Sequence, residues 1–114
     1  RFIANPHWIP ELRPLTGLDK PVSDNVLSSS NVQEFLTKYQ SLFETMAVGF
    51  IQEGRKYLTL AVGCTGGKHR SVAISEELAK RFANSPQINS RSISGLSATF
   101  SFPAVLYGIL VEQI

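Results

Sequence analysis

Residues 63–70, Gly-Cys-Thr-Gly-Gly-Lys-His-Arg, place three glycines, a thiol and three nitrogen-bearing side chains within one short stretch. The apolar run Tyr57–Val62 precedes it and a helix-compatible run, Val72 to Phe82, follows it. A turn from a strand into a helix leaves the first N–H groups of the helix unpaired and pointing outward. The helix dipole adds partial positive charge there. Gly63, Gly66 and Gly67 let the backbone approach a ligand with no Cβ in the way. Lys68 and Arg70 bring full charge, His69 switchable charge, and a guanidinium can grip two oxygens at once. Together these residues compose a phosphate or carboxylate cradle. The plainer alternative is a sharp corner with solvated basic side chains.

The turn departs from the nucleotide signature G-x-x-x-x-G-K-[ST], because His69 follows Gly67-Lys68 and the leading Gly63 is one position too close. It does carry C-x5-R-S in Cys64, Arg70 and Ser71, the spacing of cysteine-dependent phosphatases, where an arginine holds the phosphate and the thiolate attacks it. A helix N-terminus and neighbouring cations lower a cysteine pKa, as that chemistry requires. It also requires a general acid, for which the candidates are Glu11, Asp19 and Asp24. The histidine that precedes the cysteine in those enzymes is replaced by Gly63, and a free cysteine otherwise serves as a small buried hydrophobe. The segment Asn5-Pro6-His7-Trp8 offers one more imidazole and an indole. Arg13 and Thr16 either face an anion or tie down their loop.

The elements that must position these residues form an α/β pattern. Residues 1–4 are read as a short strand. Residues 5–25, with Pro6, Pro10, Pro14, Gly17 and Pro21, are read as an extended ordered loop. Asn31 and Glu34 have capping-box spacing, and Val32, Phe35, Leu36, Tyr39, Leu42, Phe43 and Met46 recur at helical spacing, which predicts a helix over 32–47. Gly49 and Gly54 loosen the stretch that follows. Residues 57–62 are expected to form a central strand buried on both faces. A second helix over 71–83, ended by Asn84-Ser85-Pro86, and a second parallel strand over 87–93 complete a right-handed βαβ unit. Residues 96–114 are apolar and Ser-rich, with Pro103 and Gly108 inside, and are assigned no element. Those interruptions argue against a membrane span.

The 114 residues suit one domain, and 43% hydrophobic with 18% charged residues argue against a disordered chain. Net charge is only +2, yet Arg55, Lys56, Lys68, Arg70, Lys80, Arg81 and Arg91 account for seven of the 11 basic residues, so a local basic patch is expected without a demand for nucleic acid. Cys64 is the sole cysteine, which excludes an internal disulfide and fits a reducing, cytoplasmic setting. The chain opens on Arg1-Phe2-Ile3 without an initiator Met or signal peptide and is expected to be a piece of a longer protein.

Two blocks, NPHWIPELRPLTGLDKPV (5–22) and LTLAVGCTGGKHRSVAISEELA (58–79), closely resemble the C-terminal domain of the RapZ/YvcJ family of bacterial nucleotide-binding proteins and RNase adapters. The resemblance covers roughly residues 1–84. It implies a small α/β sheet with flanking helices, similar to a phosphofructokinase subdomain. It implies a ligand site at His7, Cys64, Thr65, Gly66, Gly67, Lys68, His69 and Arg70. In the RapZ branch the family senses glucosamine-6-phosphate and presents a small regulatory RNA to an endoribonuclease. An N-terminal P-loop domain carries the family's ATP/GTP site, so no cofactor is expected within this chain. Family members end in a strand, an H-R-[DT] segment and a basic tail, whereas residues 88–114 here read INSRSISGLSATFSFPAVLYGILVEQI. The atypical tail over 96–114 is either a divergence or a frame change in the gene.

The expected function is non-enzymatic: one 1–114 domain that binds a small phosphorylated metabolite, an amino-sugar phosphate above all, as a homo-oligomer without metal or membrane attachment. The alternatives are an RNA-binding adapter surface on Arg55, Lys56, Lys68, Arg70, Lys80, Arg81 and Arg91, and a Cys64 phosphatase. The basic residues lack interleaved aromatics, which argues against stacking readout of single-stranded RNA though not against recognition of duplex shape.

Overall fold

A computed structural model describes residues 2–55, 57–84, 89–92 and 106–112. Their order is a 3-10 turn (Pro6–Trp8), α1 (Lys20–Leu27), α2 (Ser30–Gln52), β1 (Tyr57–Gly63), α3 (Arg70–Ala83), β2 (Asn89–Ser92) and β3 (Leu106–Glu112). Helices dominate, and the strands form a three-stranded sheet in the order β1-β3-β2.

The three helices meet along apolar stripes. Val22 and Val26 of α1, Val32, Leu36, Phe43 and Ala47 of α2, and Ala73, Ile74, Leu78 and Phe82 of α3 form one buried cluster. Spacings of four or seven residues, with Ala73 beside Ile74, put each set on one face of its helix. Phe43 and Phe82 pack with ring centroids 4.7 Å apart. Leu60 and Val62 of β1 lean on this cluster from the sheet side.

Several expectations are corrected. Residues 2–4 form no strand. The proline-rich loop contains two helical segments: Pro6 opens the 3-10 turn, and Pro21 sits in the first turn of α1, where a missing N–H costs nothing. Helix α2 starts after Ser29 rather than Asn31, makes no side-chain cap, and runs through Gly49 to Gln52. Glu34 pairs instead with Lys38 at 2.6 Å. The true break is Gly54, whose φ of +77° suits the residue just past a helix. There Gly54 N–H donates to Ile51 O and Arg55 N–H to Phe50 O, the paired bonds of a Schellman motif.

The βαβ unit is met only in part. β1 and β2 both pair antiparallel with β3, in registers running from Tyr57↔Glu112 and Asn89↔Glu112, so they point the same way with β3 inserted between them. β3 comes from the segment to which the sequence reading gave no element. β1 therefore lies at an edge of the described sheet rather than at its centre. Its burial alternates, with Leu60 and Val62 half-buried and Ala61 and Gly63 exposed, the mark of one covered face. The remainder of the expected 87–93 strand, and 96–105 and 113–114 of the tail, lie outside the described residues. No described helix is long and apolar enough to cross a membrane.

Candidate anion-binding site

Residues 64–69 connect the C-terminal end of β1 to the first turn of α3. Gly67 N–H donates to Cys64 O at 3.1 Å and closes a tight turn, with Gly67 at φ +60°, a conformation that favours glycine. The proline-rich loop then clasps the turn from outside. Gly17 N–H donates to Lys68 O at 2.9 Å, and Lys68 Nζ donates to Arg13 O at 3.1 Å. A Cβ on Gly17 would lie 2.4 Å from His69 O and 2.5 Å from Ala73 N, so only glycine allows this approach. Arg13 Nε in turn donates to His7 O, and Asn5 Oδ1 accepts from His7 N–H, which fixes the 3-10 turn beside the glycine turn.

The result is a cleft of about 580 Å³ lined by Asn5, His7, Trp8, Arg13, Cys64, Thr65, Gly66, Lys68, His69 and Arg70. Seven of the eight ligand residues named from the sequence thus share one wall system although His7 is remote in sequence. The eighth, Gly67, is buried beneath the turn. The amides of Thr65, Gly66, Lys68 and His69 make no hydrogen bond among the described residues, whereas the Gly67 amide, expected to serve the ligand, is spent on Cys64 O. A Cβ on Gly66 would meet nothing within 4 Å, so that position opens onto free space.

Three side chains define the electrostatics. Arg70, at the first position of α3, makes no hydrogen bond or ion pair among the described residues, and it lines the cleft. His69 is only 7% exposed, yet its Nε2 is buried without a partner among the described residues. An unpaired buried polar atom is costly and calls for an occupant that bonds to it. Cys64 sits half-buried, with Sγ 3.2 Å from Ser71 Oγ and 3.5 Å from Ser71 N. Burial pushes its thiol up, but its hydrogen bond with the Ser71 hydroxyl, bonds from the Ser71 and Gly67 N–H groups, and the Arg70 charge nearby outweigh that and hold its pKa below the ordinary thiol value.

The general acids sought for phosphatase chemistry are elsewhere. Asp19 Oδ2 accepts from Thr16 N–H and Oγ1, Asp24 pairs with Lys20, and neither they nor Glu11 line the cleft. Thr16 ties down its loop, as one of its two expected roles had it. No group of three metal-ligating side chains gathers among the described residues.

Two residues named for a basic patch have partners within the protein. Arg81 is only 19% exposed and is consumed in joining helices: it donates to Gln33 Oε1 at 2.6 Å, Thr37 Oγ1 at 3.2 Å and Glu77 Oε1 at 2.8 Å. Arg55 stacks over Phe50 and pairs with Glu53. Lys80 is exposed, Arg91 falls on β2, and Lys56 lies outside the described residues.

Sequence reasoning missed the role of Gly17 and a second chamber on the β1 side of the turn, lined by Phe2, Phe35 and Tyr39 and by Cys64, Thr65 and Arg70. The Leu15-Thr16-Gly17 step within a proline-rich loop is the only local signal for the first. The second joins residues too remote in sequence to show a spacing.

A helix-rich domain with a small sheet, built around a glycine turn that an N-terminal proline-rich loop clasps, is the class these features define. The family model of the RapZ C-terminal domain matches residues 1–94, and the chain belongs to that family. It is 58% identical over 88 residues to a nucleotide-binding protein of Paenarthrobacter aurescens, covering 77% of this chain and 29% of that protein. Its identity to a nucleotide-binding protein of Streptomyces coelicolor is 58% over 83 residues, 73% of this chain and 28% of the other. For one of Corynebacterium glutamicum the identity is 56% over 84 residues, 74% of this chain and 27% of the other. The chain thus spans under a third of the length of these relatives.

Proposed function

We propose that this domain is a non-catalytic sensing module that binds a small phosphorylated metabolite, an amino-sugar phosphate such as glucosamine-6-phosphate, in the cleft at the 63–70 turn. The observation that carries the reading is Arg70: a guanidinium without a partner among the described residues, at a helix N-terminus, on the wall of a cleft that also holds unpaired amides. The phosphate sits on Arg70 and the amides of Thr65 and Gly66. His69 Nε2 and His7 bond the sugar. The exposed Trp8 ring, on the same wall, offers its face to the ammonium group. Lys68 acts through the loop it anchors and adds charge at longer range.

Family membership supports an adapter role for the longer protein; the proposal extends to a cytoplasmic, oligomeric protein with a small regulatory RNA and an endoribonuclease as partners and ATP or GTP bound outside this domain. The same reading includes a likeness of the fold to a phosphofructokinase subdomain. RNA binding by this domain alone is the weaker alternative, because Arg81 and Arg55 are engaged within the protein. The Cys64 phosphatase is weaker still, because among the described residues no carboxylate lines either chamber beside the thiol.

Calorimetric titration with glucosamine-6-phosphate tests the proposal. Arg70→Ala should weaken binding about tenfold or more, since hydrogen bonds to charged groups contribute about 1.5–3 kcal/mol. Cys64→Ser should bind nearly as the wild type does, and the wild type should release no phosphate from an aryl phosphate. Equal affinity of wild type and Arg70→Ala overturns the assignment; turnover that vanishes in Cys64→Ser restores the phosphatase.

A further inference from the structure

The glycine turn has two sides. The cleft lies on one. On the other a chamber of about 430 Å³ runs along β1, within the range of about 300–1,000 Å³ that holds small ligands. The same three residues, Cys64, Thr65 and Arg70, line both spaces, so a phosphate on Arg70 can be approached from either.

The chemistry of the second chamber is different. Its far wall is a row of three rings, with Phe2 and Phe35 centroids 5.4 Å apart and edge-on, and Phe35 and Tyr39 5.8 Å apart and tilted. Phe35 remains 37% exposed and Phe2 52%, although both line a chamber that a ligand would cover. Tyr39 makes no hydrogen bond among the described residues, so its hydroxyl is free to meet a polar edge. A sugar can offer such a wall only the C–H faces of its ring. A flat heteroaromatic group gains stacking on its faces and hydrogen bonds at its rim.

We propose that this chamber is a base pocket and that the domain takes a nucleoside monophosphate there, its phosphate on Arg70, in competition with the sugar phosphate of the cleft. The inference rests on the reading of the turn as an anion site and adds a second ligand class to it. Two ligands that share one phosphate position exclude each other, so the domain reports the ratio of the two rather than either alone.

Calorimetry on the 114-residue chain separates the two claims. The probes are inorganic phosphate, uridine and adenosine 5′-monophosphates, the unphosphorylated nucleosides, and glucosamine-6-phosphate. A nucleoside monophosphate should bind roughly tenfold or more tightly than inorganic phosphate, the gain expected of base stacking. It should also raise the apparent Kd of glucosamine-6-phosphate. Tyr39→Ala and Phe35→Ala should remove the gain and leave inorganic phosphate binding unchanged, while Tyr39→Phe, which keeps the ring, should retain most of it. If Tyr39→Ala unfolds because Tyr39 packs against the helical core, Phe35→Ala, at a more exposed ring, carries the test. Phosphate binding without any gain from the nucleoside overturns the base pocket and leaves the anion site standing. Failure of both phosphate and nucleoside monophosphates to bind overturns both.

Discussion

At the scale of single residues, the turn divides its glycines by task. Gly17 and Gly67 serve the fold: one admits the backbone of the turn at a distance no Cβ tolerates, the other holds a left-handed conformation. Gly66 serves no packing need, since a Cβ there meets only open space and its φ is not positive. Gly66→Ala should therefore leave the thermal midpoint nearly unchanged while weakening sugar-phosphate binding by intruding on the cradle. Gly17→Ala should cost stability of about 1–3 kcal/mol, the usual penalty of overpacking, read from denaturant unfolding. A Gly66→Ala protein that binds normally would place the ligand away from this turn. The residue types of the turn were legible from sequence, and so was the grouping of His7 with 64–70, though the latter came from the family resemblance and not from spacing. The spending of Lys68 on Arg13 O and of the Gly67 amide on Cys64 O was not legible, because both depend on how a distant loop and a local turn close.

Among the elements, the interface of α2 and α3 rests on more than apolar packing. Gln33 donates to Leu27 O at the end of α1 and accepts from Arg81 of α3, so one side chain links three helices. Arg81 adds Thr37 and Glu77, and its low exposure keeps water from replacing these bonds. In a double-mutant cycle, Arg81→Ala and Gln33→Ala should each destabilise, with a coupling energy of roughly 0.5–3 kcal/mol, as for residues in one hydrogen-bond network. Additive effects would show that the helices hold by packing alone. Helices α2 and α3 were legible because their apolar residues recur with helical period. Helix α1 was not, because Pro21 in its first turn reads as a breaker until its place is known. β3 was not, because Pro103 and Gly108 break the apolar pattern of the tail and the pairing partner of a strand is not written in its own sequence.

For the whole molecule, charge decides what the surface can hold. The net charge is small and, of the expected basic patch, Arg81 is bound between helices and Lys68 donates to Arg13 O. RNA should therefore bind this chain weakly, with Kd of about 10⁻⁴–10⁻⁶ M, and lose affinity steeply with salt, since phosphate contacts by lysine and arginine release counterions. Tight binding that ignores salt, in a gel-shift titration at two salt concentrations, would reveal a surface of another kind. The central claim is that the turn between β1 and α3 holds the phosphate of a small metabolite. The most direct measurement is a crystal structure of the chain grown with glucosamine-6-phosphate. The account predicts phosphate density within hydrogen-bond distance of the Arg70 guanidinium and the amides of Thr65 and Gly66, with His69 Nε2 bonded to the ligand. Ligand density elsewhere on the molecule, with the turn holding no anion, would contradict it.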